Sequence, residues 1–270
     1  MMKIYIRGAG DLATGTACRL YESGFQIMMT DLKVPTTVRR TVAFSPAIYM
    51  GETIVEGKKG TFCSTCDEVN RVFDEKGIPI VIDSDNFYLH SYNPDVVIDA
   101  IVAKNNIATK ISDAPIVIAI GPGFTAGEDC HCVIESMRGH DLGRCIYNGK
   151  AMANTGVPGD IGGFTKERIL RATQNGTFKG IVKIGDMVEK GQVVAFSGQT
   201  EIKSELTGLV RGLLQDGVQV RVNMKVGDVD PRAKKEHCYT ISDKARAIGG
   251  GVLEAILHCS ASFDNKSESI

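Results

Sequence analysis

The stretch Lys3-Ile4-Tyr5-Ile6-Arg7-Gly8-Ala9-Gly10-Asp11-Leu12-Ala13 decides the fold. A short apolar run meets a glycine loop, the residues after it fit a helix to about Glu22, and a second apolar run covers Phe25 to Thr30. That order is the β-α-β opening of an α/β sheet. Gly8 and Gly10 permit a tight turn and bring a ligand phosphate close to the helix N-terminus, and Ala13 completes a Gly-x-Gly-x-x-Ala pattern. Asp31, at the end of the second run, stands where an acid bonds a ribose hydroxyl. Asp11 works the other way, because its charge lies beside the amides that would hold a pyrophosphate; it suits a helix cap or a neutral ligand.

Further along, a helix is expected near Asp67 to Lys76, with strands over Ile78–Ile82, Val96–Ile98 and Ile116–Ile120. These runs are apolar throughout rather than alternating, as in a parallel sheet covered on both faces. The reading is a Rossmann-like α/β domain over residues 1–175, its open sheet within roughly the first 125. Strands end at Gly8, Asp31, Asp83, Asp99 and Gly121, the carboxyl edge where such sheets bind ligands. The competing reading is that aspartate and glycine punctuate strand ends in any protein.

From Gly176 the chain turns to short β-like runs broken by glycine, which marks a small β module over 176–240. Gly180-Ile181-Val182-Lys183 is echoed by Gly208-Leu209-Val210-Arg211, each followed by a turn, and two such halves suggest a pseudo-symmetric sandwich. Gly185 to Val193 resembles the hammerhead of biotinyl and lipoyl domains, a barrel-sandwich fold. Lys203 lacks the flanking residues and hairpin length of a modified lysine, so no swinging arm is expected. Residues 241–270 read as a closing helix and polar tail, with Ser242 as N-cap, a helical stretch to Leu257, and Gly249-Gly250-Gly251 allowing close backbone approach or a break.

Thirty-one basic against thirty-two acidic residues leave a net charge of -1, so no overall electrostatic argument favours nucleic acid or an anionic membrane. A composition of 43% hydrophobic and 23% charged residues suits a soluble chain with a real core. Apolar runs are strand-sized, well short of the roughly 20 residues of a membrane helix. The N-terminus enters the glycine loop at once, without the apolar core of a signal peptide, which predicts a cytoplasmic chain. In that reducing compartment the eight cysteines read as buried thiols, metal ligands or redox groups rather than disulfides. Cys63 and Cys66 have the spacing of a metal knuckle or redox pair, and Cys66 opens a helix. With no second such motif, a metal site would have to recruit Cys130, His131 or Cys132.

The densest stretch runs from Gly121 to Glu135 and on through Arg138-Gly139-His140. Backbone amides around Gly121, Gly123, Phe124, Thr125 and Gly127 form a loop suited to an anion or cofactor. If the following residues are extended, period-two alternation puts Asp129, His131 and Glu135 on one face, which suits a metal or proton transfer. The plainer alternative is a buried polar network in which Arg138 neutralises Glu135 and His140 caps a turn.

Gly8 to Gly15, Gly121 to Gly127, Arg138 to Arg144, Asn154-Thr155-Gly156-Val157-Pro158-Gly159, Gly227 to Arg232 and Ala245 to Gly251 together resemble the YqeB-type accessory proteins of selenium-dependent molybdenum hydroxylases. The similarity runs over nearly the whole chain. It implies a bacterial maturation factor that helps an apo molybdenum hydroxylase acquire its active cofactor, in the step that adds labile selenium. A molybdopterin-type cofactor is then the implied ligand, and Gly121–Gly127, His131, Glu135, Arg138 and His140 the implied working region. Cys63, Cys66, Cys130 and Cys132 lie outside that pattern. The residues themselves leave two alternatives open: a dinucleotide-dependent oxidoreductase using Asp31 for ribose and His131 or His140 as acid/base, and a non-enzymatic docking protein.

Overall fold

The computed structural model describes residues 1–267, with side chains to 261. Two compact units share the chain: an α/β unit of Met1–Lys33, Phe44–Thr155 and Ser242–Ile270, and a β unit of Val34–Ala43 and Gly156–Ile241.

In the α/β unit, β1 (Lys3–Arg7) leads through the glycine loop into α1 (Asp11–Glu22) and β2 (Gln26–Thr30). Next come α2 (Ala47–Met50), the hairpin β3 (Glu52–Val55) and β4 (Lys58–Phe62), α3 (Cys66–Asp74), β5 (Ile78–Val81), α4 (Phe87–Tyr92), β6 (Val96–Asp99) and β7 (Ile116–Ile120). Four short strands follow: β8 (Thr125–Ala126), β9 (Cys132–Ile134), β10 (Cys145–Ile146) and β11 (Gly149–Lys150). Among the described residues the main sheet has nine strands in the order β10-β9-β7-β6-β1-β2-β5-β4-β3. It is parallel from β9 to β4 and antiparallel at both edges. Setting aside the edge hairpin, β5-β2-β1-β6-β7-β9 follows the 3-2-1-4-5-6 order of a doubly wound sheet, whose switch point lies between β1 and β6.

The apolar runs are uninterrupted because both faces are covered. Tyr5, Met28, Val97 and Val117 pack with Val69 and Val72 of α3 and with Tyr88, Leu89 and Tyr92 of α4. Ile4 and Ile6, fully buried, point to the other face by alternation. Burying an isoleucine of this kind contributes roughly 1.5–3 kcal/mol.

The closing helix, α5 (Asp243–Ser267), packs on α1 and on β7, β9 and β10. Ser242 caps it as expected, its Oγ accepting from Ala245 N at 3.2 Å. The three glycines do not break it. They let backbones cross: a Cβ at Gly249 would lie 3.3 Å from Gly15 O, and one at Gly251 only 2.1 Å from Gly143 O. No described helix, this one included, is long and apolar enough to cross a membrane.

The β unit holds β12 (Ile169–Arg171), β13 (Gly176–Gly180), β14 (Met187–Val188), β15 (Val193–Ser197), β16 (Thr200–Lys203), β17 (Gly208–Leu213), β18 (Gln219–Val220) and β19 (Lys225–Asp230). They form two four-stranded sheets, β12-β19-β17-β14 and β16-β15-β13-β18. The halves correspond strand for strand, β13 with β17 and β15 with β19, and each half gives its short second strand to the other half's sheet. Phe178, Val194 and Ile202 from one sheet meet Leu170, Val210 and Val229 from the other in one core. Lys203 ends β16, paired with Val193, away from the β15–β16 turn.

Candidate functional site

The glycine loop after β1 is shaped by what lies beside it. Gly8 has φ +101°, and a Cβ there would sit 3.0 Å from the carbonyl oxygen of Ala100, just past β6. Only glycine passes that neighbour without strain. Gly10 is the N-cap of α1 with φ -69° and no capping side chain. Asp31 holds this loop rather than standing open: its carboxylate accepts from Ala9 N at 3.1 Å and from Leu32 N at 2.8 Å. Burial raises its pKa, against the pull of those two amides. The Ala9 carbonyl in turn accepts from Phe44 N and Ser45 N at 3.1 and 2.9 Å. Ser45 Oγ, fully buried beside that contact, has no hydrogen-bond partner.

The other strand-end aspartates also serve their own loops. Asp83 accepts from the Tyr5 hydroxyl and from Tyr88 N and Leu89 N at 3.0 and 2.9 Å, so it anchors α4. Asp99 accepts from Ile101 N at 3.1 Å and from Thr109 Oγ1 at 2.7 Å. The same hydroxyl accepts from Arg7 Nη1 at 2.6 Å, and Arg7 pairs with Asp113 at 2.8 Å. Burial raises the pKa of Asp99, the Thr109 and Ile101 hydrogen bonds and Arg7 opposing it.

Between the two glycine loops runs a strained segment. Val102 and Lys104 have φ of 57° and 72°. A β-branched residue in that region is a genuine outlier, which persists only where its surroundings impose it and which concentrates at ligand sites. Gly123, with φ +108°, lies against this segment: a Cβ there would come 2.7 Å from Asn105 N and Cα. Gly121 likewise abuts Ser136 Oγ, 2.6 Å from its own ideal Cβ. Gly127 alone of this loop's glycines faces open space. The Phe124 side chain is core, 3% exposed, while Thr125 N donates to Asp129 Oδ2 at 2.7 Å.

Asp129, His131 and Glu135 each hold a different backbone segment. Extension over the whole stretch was the premise, but β9 covers only Cys132–Ile134. Asp129 binds the Thr125 amide and Asn106 Nδ2. His131 Nδ1 accepts from Val117 N at 3.0 Å, near the start of β7. Glu135, 2% exposed and past the end of β9, accepts from Met137 N at 2.7 Å and Met152 N at 2.8 Å. Arg138 pairs in a fork with Asp243 at 2.7 and 2.8 Å rather than with Glu135, and His140 is exposed.

The His131 contact sets a pH dependence. Burial lowers its pKa, and Nδ1 must stay unprotonated to accept from Val117 N. The unfolded chain takes up a proton below about pH 6.5 while the folded chain resists it, so this contribution is full above about 6.5 and is lost as pH falls towards the lower folded value. In urea titrations, the unfolding free energy of the wild type should therefore fall more steeply than that of His131→Gln as pH drops below about 6.5. Parallel profiles would remove His131 from the account.

Cys63 is buried, which pushes its thiol up to about 11, and Cys130, buried in the core, rises to about 12 by the same cause. Cys66 is exposed at the start of α3, behind the Thr65 cap. Among the described residues no cluster of three or more His, Cys, Asp and Glu side chains is placed to hold a metal ion.

Sequence comparison gives one informative likeness. An uncharacterized protein of Escherichia coli (strain K12) named YqeB is 49% identical over 254 residues, which is 94% of this chain and 47% of that protein. The chain thus spans about half the length of the curated relative it matches, and the likeness to the YqeB family read from the motifs is supported at that level. No family model matches. Solved structures with similar stretches include an aspartoacylase family protein from Mesorhizobium loti, 13% identical over 86% of each chain with a TM-score of 0.27. Another is the product-bound ectoine utilization protein EutE of Ruegeria pomeroyi, 20% identical over 31% of this chain and 27% of that one, TM-score 0.22. Likenesses that faint carry no argument about this chain.

Proposed function

We propose that this homologue of YqeB is an accessory protein in the maturation of a selenium-dependent molybdenum hydroxylase, and that it holds the molybdenum cofactor or its precursor at the switch point of the α/β sheet. The role rests on the motif resemblance alone; the 49% identity to YqeB, itself an uncharacterized protein, supports the likeness and not the role. The place comes from one observation: the Gly8 loop, the strained Ala100–Asn105 segment and the Gly121–Gly127 loop converge at the end of β6, with Gly8 against Ala100 and Gly123 against Asn105.

The residues there fit a phosphate-bearing pterin in part. Favourable are the N-terminus of α1 behind an uncapped Gly10, the open backbone at Gly127 and the orphaned hydroxyl of Ser45. Unfavourable is the Asp11 carboxylate in the first turn of α1, which repels phosphate. When bound, such a cofactor would supply the redox chemistry of the hydroxylase; this chain would bind, orient and shield it. The strand order favours a second reading, a dinucleotide enzyme, but Asp31 already spends its carboxylate on Ala9 and Leu32. In the same proposal the β unit, with its exchanged short strands, is a barrel-sandwich relative that docks the apo-hydroxylase in the cytoplasm without a carrier lysine.

Native mass spectrometry of protein purified from its own host tests the reading. A retained pterin supports it, and a retained dinucleotide with a reducible substrate promotes the oxidoreductase. Gly10→Val is the matching variant: φ at position 10 is ordinary, so the domain should fold, while the side chain blocks backbone approach. Undiminished ligand retention in folded Gly10→Val would sink the placement.

A further inference from the structure

β9 and β10 form an antiparallel ladder with Cys145 opposite Ile134. Cys132 and Cys145 therefore lie diagonally on one face of it, near enough that each thiol shifts the titration of the other. The face is covered by α5. Cys145 Sγ donates to Gly251 O at 3.1 Å, and Tyr147 and Glu254 lie near enough to shift its titration. Cys132 is fully buried and Cys145 half-buried, with Tyr147 and Glu254 exposed at the rim. An accessible thiol backed by a second within contact is the layout of an attacking and a resolving cysteine.

The geometry points to a peroxide-reactive dithiol at Cys145 and Cys132, a site separate from the glycine loops and independent of the ligand they hold. The half-buried position of Cys145 admits a small hydroperoxide more readily than a bulky disulfide. In the first step the Cys145 sulfur attacks one peroxide oxygen and the O–O bond breaks. The departing oxygen takes a proton and leaves as water, and Cys145 becomes a sulfenic acid. In the second, the Cys132 sulfur attacks the Cys145 sulfur, the S–O bond breaks, and the hydroxyl leaves with the Cys132 proton as a second water. Two thiols and one hydrogen peroxide thus give one disulfide and two waters. The neighbouring Cys132, the largest influence on Cys145, lowers its thiol pKa, with Tyr147 assisting and burial and Glu254 opposing. Cys145 thus becomes the attacking partner.

Reduced full-length protein treated with a small excess of hydrogen peroxide should lose two hydrogens in intact mass, and peptide mapping should join Cys132 to Cys145. With iodoacetamide at neutral pH, Cys145 should be labelled ahead of Cys66, although Cys66 is the more exposed thiol. In Cys132→Ser the reaction should stop at a sulfenic acid on Cys145 that dimedone traps. Should that variant fail to fold, mapping of the wild type decides alone. A cross-link to Cys259 instead, or oxidation of Cys66 with Cys145 unchanged, overturns the assignment.

Discussion

Gly251→Ala should be among the most damaging single substitutions in this chain, and Gly250→Ala, one residue earlier, should be harmless or stabilising. At position 251 the new Cβ would stand 2.1 Å from the Gly143 carbonyl oxygen and 3.1 Å from its carbon. Both partners are backbone. Gly143 cannot retreat easily, since its own Cβ position is 2.7 Å from Ala247 O on the same helix. Overpacking costs typically 1–3 kcal/mol and more where nothing yields, so a loss of about 3 kcal/mol or more is expected. That corresponds to roughly 6–12 °C in Tm for a chain approaching this size. At position 250 nothing lies within 4 Å of the added Cβ, and replacing a helix glycine by alanine gains about 0.5–1 kcal/mol. Differential scanning calorimetry of the pair separates close packing from helix propensity, because only packing predicts opposite signs. Equal shifts would mean that α5 and the Gly143 turn do not cross as described.

The same contact shows what was legible in the sequence. Gly249-Gly250-Gly251 announced either a close approach or a break, and nothing local could choose; the choice was made by Gly15 and Gly143, both far away in the chain. Elements built on local patterns were readable. β1, α1 and β2 follow from an apolar run, a glycine loop and a second apolar run, and β5, β6 and β7 lie within a residue or so of the expected Ile78–Ile82, Val96–Ile98 and Ile116–Ile120. The β3–β4 hairpin and α4 escaped because short, partly exposed elements carry little periodicity. Nothing in the composition of residues 34–43 signalled that they pack with the β unit.

The candidate site divides in the same way. Its glycines and strand-end acids could be found from position alone, but their partners could not. Asp31, Asp83 and Asp99 stand where expected, and each is taken up by an amide or hydroxyl of its own loop. Strain at Val102 and Lys104 was invisible because neither residue type announces a positive φ. Spacing singled out Cys63 and Cys66, whereas the fold sets Cys132 beside Cys145, thirteen residues on, and sends Cys130 into the core with Val133. Only the antiparallel ladder of β9 and β10 brings Cys132 and Cys145 together.

The motif Gly227 to Arg232, which no functional reading absorbed, supplies the second large effect. Asp228 and Asp230 lie on β19, 3% and 1% exposed, and Arg211 comes to both from a bulge in β17 between Val210 and Gly212. Arg168 Nη1 donates to Asp228 Oδ1 at 3.0 Å, and Arg211 Nη1 stands 3.7 Å from Asp228 Oδ2. Asp228 therefore serves two buried guanidinium groups, while the Asp230 carboxyl, though burial opposes its charge, is held down at about 2 by Arg232 and Arg211. Asp228→Asn keeps the shape of the side chain and removes its charge. Breaking a buried ion pair by deleting one partner typically costs about 3–5 kcal/mol, because the surviving charge is left without compensation. A loss of that size is expected in urea unfolding, against under about 1 kcal/mol for removing the exposed Lys203–Glu201 pair by Lys203→Gln. The decisive control is Asp228→Asn combined with Arg168→Met. If the penalty comes from a stranded cation, the double variant should recover part of the loss; if it is no more stable than Asp228→Asn, the network stabilises through shape and not charge.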